Sequence, residues 1–444
     1  MASDTLILSR LEFGFALAYH ILWPTLSIGL AGFVLVMNAS WMRTGRRVYR
    51  DIADFWTRIF ALGFGMGVVT GVVISYTIGM NWSVYVSETA NVLGPLFTLE
   101  VLTAFFLEAG FIGVMLFGRE RVGDKFYLFA CSMVALGTVL SAFWILAANS
   151  WMQTPAGFTR DANGQFFVAH WFDVIFNPSF PYRLVHMLLA SYVTGCFVVI
   201  GVSALQLLRG RGGEFARTAL SASLWLATIV VPLQIAAGDA QGLNTRAHQP
   251  IKLAAIEGRW ETGRRVPLTL FALPDQEHQT NHYAIEVPVL GSLILTHSLD
   301  GEVRGLKTVP PSEQPPVIPV FFAFRIMVGV GLSLFGLVAL GGWLRWRKRL
   351  FDTRLFLMAC VATIPLGFVA TLAGWTVTEV GRQPYVVYGL LRTADAVSPL
   401  APSAVGSLLV TLLILYNLLL LGFLLIAGRM AWTGPAVASW AAAE

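Results

Sequence analysis

Nine stretches of this chain are apolar for long enough to cross about 30 Å of hydrocarbon. They lie at roughly 11–38, 55–80, 94–118, 126–149, 182–208, 217–238, 319–344, 355–376 and 403–428. Lipid offers the backbone no hydrogen bonds, so each stretch has to satisfy its own as a helix. The composition agrees: 12% of the 444 residues are charged, 56% are hydrophobic, and mean hydropathy is +0.69. A soluble chain carries about 25% charge. The expected fold is an all-α polytopic membrane protein of about nine spans. The run after Arg10 is too long for the apolar part of a signal peptide, and no small-residue cleavage site ends it. Cys131, Cys196 and Cys360 all lie in apolar stretches, which makes them packing residues with neither a disulfide framework nor zinc spacing.

The pI near 9.2 comes from short basic clusters between the spans, a topology signal that does not point to nucleic acid. One set of connections holds Arg43, Arg46, Arg47, Arg50, Arg119, Arg121, Lys125, Arg209, Arg211, Arg217, Arg345, Arg347, Lys348, Arg349, Arg354 and Arg429. The opposite set of short connections holds only Arg10, Arg160, Arg183, Arg382 and Arg392. Sixteen against five puts the N-terminus outside and the C-terminus in the cytoplasm. The chain then divides into a six-helix part (1–238), one hydrophilic segment on the outer face (239–318) and a three-helix part (319–444). No internal repeat suggests inverted transporter halves.

The informative residues are those that lipid disfavours. An ionisable side chain inside a span costs at least about 2.5–3.5 kcal/mol and is a functional hypothesis by default. His20 lies in the first span, Glu100 and Glu108 in the third and His186 in the fifth. Arg325 and Met327 open the seventh span, and Glu379 closes the eighth. All but Glu108 fall toward the outer ends. Each has a plainer reading: a histidine can bond a carbonyl, a methionine can pack, and an arginine can reach headgroups. Glu100 and Glu108 resist that treatment. Eight residues on one helix are about 12 Å along its axis, and two carboxylates in a row point to a proton or cation path. Ser141 could extend that path, although a helix hydroxyl is expected to bond its own preceding turn.

Histidines narrow the chemistry further. Only His20 and His186 fall within spans. That is too few for two bis-histidine haems or for a haem–copper centre, so any haem here has mixed ligands drawn from His, Met and Glu. A His/Met pair makes a low-spin electron-transfer haem. A lone carboxylate leaves iron high-spin with an open position.

Four motifs carry a resemblance: SRLEFGFALAYHI in the first span, GLNTRAHQPIKLAAIEG after the sixth, FRIMVG opening the seventh and EVGRQPY closing the eighth. Over Leu11 to Met430 the chain resembles the large subunit of the cytochrome bd quinol oxidases. Its outer segment of about 80 residues is that family's short form, as in the cyanide-insensitive members. Its eighth-span motif ends in Tyr385 where better-known members have Trp. The resemblance implies a low-spin haem b on His186 and Met327, with Arg325 beside it. It also implies a high-spin pair, a haem b with a haem d or a further haem b, on His20 and Glu379. Glu100 would lie against one of these or bind it as a sixth ligand, Trp375 would stand between haems and Arg382 beside them. Lys252 and Glu257 match the quinol-oxidation residues. The implied partners are a second multispanning subunit and a small single-span subunit, with ubiquinol or menaquinol and O2 as substrates, in a bacterial inner membrane.

Together these readings give a quinol:O2 oxidoreductase that releases quinol protons outside and takes protons for water from the cytoplasm through Glu108 and Glu100. A proton-coupled transporter would also carry buried acids but would have no use for His186 and Met327. A structural anchor would explain the spans and not the charges. Cysteines placed within 239–318 are expected to react with an impermeant thiol reagent in intact cells, and cysteines placed within 345–349 are not. The reverse pattern inverts the orientation.

Overall fold

The computed structural model describes residues 2–434. Residue 1 and residues 435–444, the extreme ends of the expected first and third parts, lie outside the described residues. Helix α1 (Ala2–Thr44) and helix α2 (Arg47–Asn81) are the first two spans. The third is α3 (Ser83–Glu100), a π-helical turn (Val101–Phe105) and α4 (Phe106–Phe117). After α5 (Asp124–Gln153) come the strands β1 (Phe158–Arg160) and β2 (Phe166–Val168), the short α6 (Trp171–Ile175) and the span α7 (Phe180–Leu208). The sixth span, α8 (Gly213–His248), leads into α9 (Pro250–Glu257). There follow β3 (Gly263–Arg264), β4 (Leu268–Asp275), β5 (Thr280–Val287), α10 (Leu290–Thr296) and β6 (Glu302–Val303). The last spans are α11 (Val317–Trp346), the pair α12 (Arg354–Ala362) and α13 (Leu366–Val380), and α14 (Pro402–Thr433). A hairpin of β7 (Tyr385–Val387) and β8 (Leu391–Arg392) precedes α14.

Nine helical runs among the described residues are long and apolar enough to cross a membrane, in the order the sequence predicts. The strands form only two-stranded antiparallel pairs, so the fold is the expected all-α polytopic one. Two boundaries differ for physical reasons. α8 continues ten residues beyond the apolar stretch, because hydropathy reports contact with lipid and not helicity; Asn244, in this extension, donates to the Pro178 carbonyl at 2.9 Å. The eighth span breaks at Thr363–Pro365, where proline supplies no N–H to continue the ladder.

The segment after α8 is a folded cap. Pro250 at the first turn suits a helix start, where an N–H would be unpaired anyway. Gly258 ends α9 in the left-handed region at φ +61°. The cap has its own core, in which Ala254, Trp260, Val266 and Leu306 pack with Phe321 of α11.

α1 and α7 are the most buried spans, and α14 leaves most of its surface outward. Small residues let the inner helices approach closely. A Cβ on Gly29 would fall 2.8 Å from the Gly195 Cα, and one on Gly195 would fall 2.7 Å from the Gly29 Cα. On another face of α7, a Cβ at Gly201 would meet the Cys360 carbonyl at 2.9 Å. Gly195→Leu is therefore expected to abolish accumulation of the folded chain, since even one extra methylene in a packed core costs about 1–3 kcal/mol. Gly422→Leu on α14, where a Cβ meets nothing within 4 Å, is expected to accumulate normally. Membrane yield and thermal stability in detergent measure both.

Candidate functional site at the α9 end of the helix bundle

The C-terminal end of α13 puts a carboxylate among three cations. Glu379 accepts hydrogen bonds from Asn149 (3.1 Å) and Gln153 (3.3 Å) on one oxygen and pairs with Arg382 through the other. Asn149 in turn accepts from Arg183. The Gln153 oxygen accepts from Lys252 Nζ at 2.5 Å, and Gln249 accepts a second bond from the same amine at 2.7 Å. Asn149 and Gln153 are one turn apart on α5, so a single helix face links Arg183 and Lys252 to the acid that Arg382 pairs directly. Three positive charges face one negative charge. Arg183 Nε and Arg382 Nε and Nη1 are buried with no partner. A buried donor without an acceptor costs about 1–3 kcal/mol, so this layer is built for additional anionic oxygens.

His20 and His186 are each prepared in a different way. Thr70 donates its one hydroxyl hydrogen to the Met66 carbonyl (2.8 Å), so it accepts from His20 Nδ1–H (2.8 Å). The proton is fixed on Nδ1, and Nε2 keeps the lone pair that binds metals. His186 lies one turn after Arg183 on α7; its Nδ1 is buried and unpartnered, and Gln234 stands 3.4 Å from its Nε2. Glycines border all three candidate ligands on α1, α7 and α11. A Cβ at Gly71 would lie 3.3 Å from His20 Cε1, one at Gly238 3.3 Å from His186 Cε1, and one at Gly374 3.0 Å from Met327 Sδ. Next to Gly374, Trp375 lies under the Arg183 guanidinium at 5.9 Å.

The third span treats its two acids differently from a straight helix. Eight α-helical residues would leave Glu100 and Glu108 about 80° apart. The intervening π turn absorbs one residue, so the pair behaves roughly as seven apart and shares a face. That face meets α5. Ser141 donates to Glu100 at 2.7 Å, and the absence of a side chain on Gly137 makes room for the buried Glu108, whose Cγ would lie 2.4 Å from a Cβ there. Ser141 thus bonds the acid and not its own preceding turn, because a carboxylate is a stronger acceptor than a carbonyl already bonded within the helix.

Lys252 and Glu257 are both buried on α9 but face different neighbours. Five residues turn a helix by about 500°, leaving them about 140° apart. Lys252 turns to Gln153 and Gln249, while Glu257 lies 3.8 Å from Arg325. Burial, with Arg183 nearby, pushes the Lys252 amine well below its ordinary value, against the pull of Glu379. Burial pushes Glu257 up, opposed by Arg325 and Arg259. The Arg325 guanidinium donates to the carbonyls of Thr269, Ile256 (2.8 Å) and Phe321 (3.0 Å) and lies over the Phe321 ring. Each of its nitrogens has at least one protein acceptor, so it clips α11 to α9 and β4, and Nη2 also faces Glu257 at 3.8 Å.

The comparisons with known proteins bear on this arrangement directly. The family model of cytochrome bd terminal oxidase subunit I matches residues 8–435. The chain belongs to the cytochrome bd terminal oxidase subunit I family. It is 36% identical to the cytochrome bd ubiquinol oxidase subunit 1 of Bacillus subtilis (strain 168), covering 92% of this chain and 89% of that one. It is 31% identical to the cytochrome bd-II ubiquinol oxidase subunit 1 of Escherichia coli (strain K12), with 97% of each covered. Its fold is similar to the solved bd oxidase of Geobacillus thermodenitrificans, with a TM-score of 0.90, 30% identity, and 97% of this chain and 99% of that chain covered.

For a subunit of this family, the groups that sequence reasoning passed over are mostly neutral. Thr70, Asn149, Gln153, Gln234 and Gln249 all touch a candidate residue. Asn149 and Gln153 are four apart in an apolar helix, a spacing that places both amides on one face. Glu12 was passed over too; it is buried on α1 and accepts from Asn81 at 2.9 Å. Arg382→Met is expected to lower stability by about 3–5 kcal/mol, because it leaves a buried carboxylate short of its partner. Arg46→Met, which breaks an exposed pair with Glu214, is expected to change little by comparison. Apparent melting temperatures in detergent compare the two.

Proposed function

We propose that this chain is the haem-bearing subunit of a bd-type oxidase that takes electrons from a membrane quinol near the outer face and reduces O2 to water with protons from the cytoplasm. The observation that carries the reading is the set of buried nitrogens without partners, His186 Nδ1, Arg183 Nε and Arg382 Nε and Nη1, in one layer of a bd-family chain. Two ring nitrogens available to iron and a surplus of buried cationic donors fit haem, whose propionates are anionic. When bound, haem supplies one-electron transfer and an iron site for O2.

His186 and Met327 would hold a low-spin haem b, for which the glycine at Gly374 leaves the thioether free of a neighbouring side chain. His20, fixed in the metal-binding tautomer by Thr70, and Glu379 would hold the high-spin pair, a haem b and a haem d or a further haem b. Arg382 and Arg183 would pair propionates, Trp375 would stand beside the macrocycles, and Glu100 would serve as a sixth ligand or neighbour. Arg325 would lie beside the low-spin haem, and its clip holds the cap against α11 two residues from Met327.

At the outer segment, Glu257 would take a quinol proton, and its upward shift suits a base that must later release it. Lys252 would hold a quinol oxygen. From the opposite side, Glu108, Glu100 and Ser141 would pass protons inward along one face. Charge crossing most of the membrane stores about 2.3 kcal/mol per 100 mV, so no separate pump is required. The division into 1–238, 239–318 and 319–444 separates proton entry, quinol oxidation and the low-spin site only in part, because His186 comes from the first part and Met327 from the third. The setting is a bacterial cytoplasmic membrane with the N-terminus outside. The outward surface of α14 suits a second multispanning subunit, with a small single-span subunit alongside.

Reduced-minus-oxidised spectra of the purified complex test the assignment. Met327→Leu conserves volume and is expected to abolish the low-spin band and quinol oxidation together. Glu379→Gln is expected to disturb a high-spin haem. Glu108→Gln should keep every haem and slow O2 reduction by about 100-fold or more, the usual scale for a lost proton-transfer group. An unchanged spectrum in the first two variants, or unchanged turnover in the third, overturns the corresponding role.

A further inference from the structure

Between α9 and the β7–β8 hairpin lies an outer pocket of about 180 Å3. Lys252 is at its floor, with Glu313, Gln383, Tyr385 and Tyr388 on its walls. It has room for several waters, at about 30 Å3 of liquid each. The floor is closed by Gly381, where a Cβ would lie 2.9 Å from Lys252 Cγ. Glu313 stands on the wall with its side chain one-quarter exposed. One of its oxygens accepts from the Tyr385 hydroxyl and the other from Arg392. The hairpin register sets Tyr385 opposite Arg392, so the two donors reach the acid from one side. Tyr385 also meets Tyr388 edge-on at 5.9 Å.

A surface clip does not require this placement. The acid stands part-exposed on the wall of a cavity that the buried Lys252 also lines, and a tyrosine hydroxyl beside it can both donate and accept. We propose that this pocket is the outward proton passage for the quinol oxygen held at Lys252, with Glu313 as its terminal acceptor and Tyr385 and Arg392 as the residues that position it. The inference rests on the quinol reading above. Oxidation of a quinol to a quinone releases two electrons, which the oxidase reaction consumes, and two protons. Glu257 takes one proton, on the Arg325 side of α9. The other leaves the Lys252 side through pocket water to Glu313 and then to the outer solvent. The ionisable groups facing Glu313 are Arg392 and Tyr385 from the hairpin and, across the pocket, Lys252 and Tyr388.

The test uses the complete oxidase with a short-chain benzoquinol. Glu313→Gln is expected to keep haem content and KM within about twofold and to lower kcat about tenfold, less than the roughly 100-fold typical of a group that moves a proton in the chemical step, because pocket water still carries part of the flow. Added small proton carriers such as formate or imidazole should restore much of that kcat and leave the unsubstituted oxidase unaffected. Glu313→Asp, which keeps a transferable proton, should retain at least half of kcat, and Tyr385→Phe should fall between. Unsubstituted kcat in Glu313→Gln at every pH, a loss that carriers do not relieve, or Glu313→Asp as impaired as Glu313→Gln overturns the passage. Lys252→Met and Glu257→Gln separate the two proposals. If both oxidise quinol normally, the quinol reading fails. If both are impaired while Glu313→Gln is normal, only the passage fails.

Discussion

The interaction on which the α9 end of this molecule depends is a single carboxylate surrounded by more positive charge than it can neutralise. Glu379 pairs with Arg382 directly and reaches Arg183 and Lys252 through Asn149 and Gln153. Four elements (α5, α7, α9 and the end of α13) are tied by that one group. Buried charge without a counter-charge is expensive, and a chain keeps such an arrangement only where something else supplies the missing anion. The same imbalance that would destabilise the bare protein makes it receptive to an acidic cofactor.

Close packing at the centre permits this. The glycine contact of α1 with α7 draws the candidate ligands His20 and His186 onto adjacent helices, while glycines on α2, α8 and α13 stand back from His20, His186 and Met327. Small residues thus serve two purposes in one bundle. On the α1–α7 seam they bring backbones together; beside the candidate ligands they keep side chains away. The π turn between α3 and α4 makes a third adjustment, turning two acids onto one face toward α5.

Much of this was legible because lipid makes polar residues conspicuous. The nine spans, His20, His186, Glu100, Glu108 and Glu379 stand out by cost alone, and the motifs around them carry the family. Neutral residues gave no such signal: Asn149 and Gln153 cost less than a charge inside a span, so they passed as ordinary helix residues. The π turn leaves no mark in hydropathy. Arg325 was read by its position at a helix start, yet apart from Phe321 its partners lie 55 to 69 residues away in the cap, a distance that spacing does not reveal. Lys252 and Glu257 looked like a pair because they are close in sequence, and helical rotation separates them.

Gln153 has a consequence of its own. Its amide nitrogen faces Glu379, and its oxygen accepts from both Lys252 and Gln249. Turning the amide over would set like against like at both ends, so its polarity is locked. An amide neither gains nor loses a proton near neutral pH, so the bridge carries structure and blocks conduction. If Lys252 serves the quinol and Glu379 the oxygen-reducing haems, as proposed, the two sides would share one hydrogen-bonded network, and a protonic short circuit between them would dissipate the gradient. At this junction the network is continuous in geometry and insulating in current.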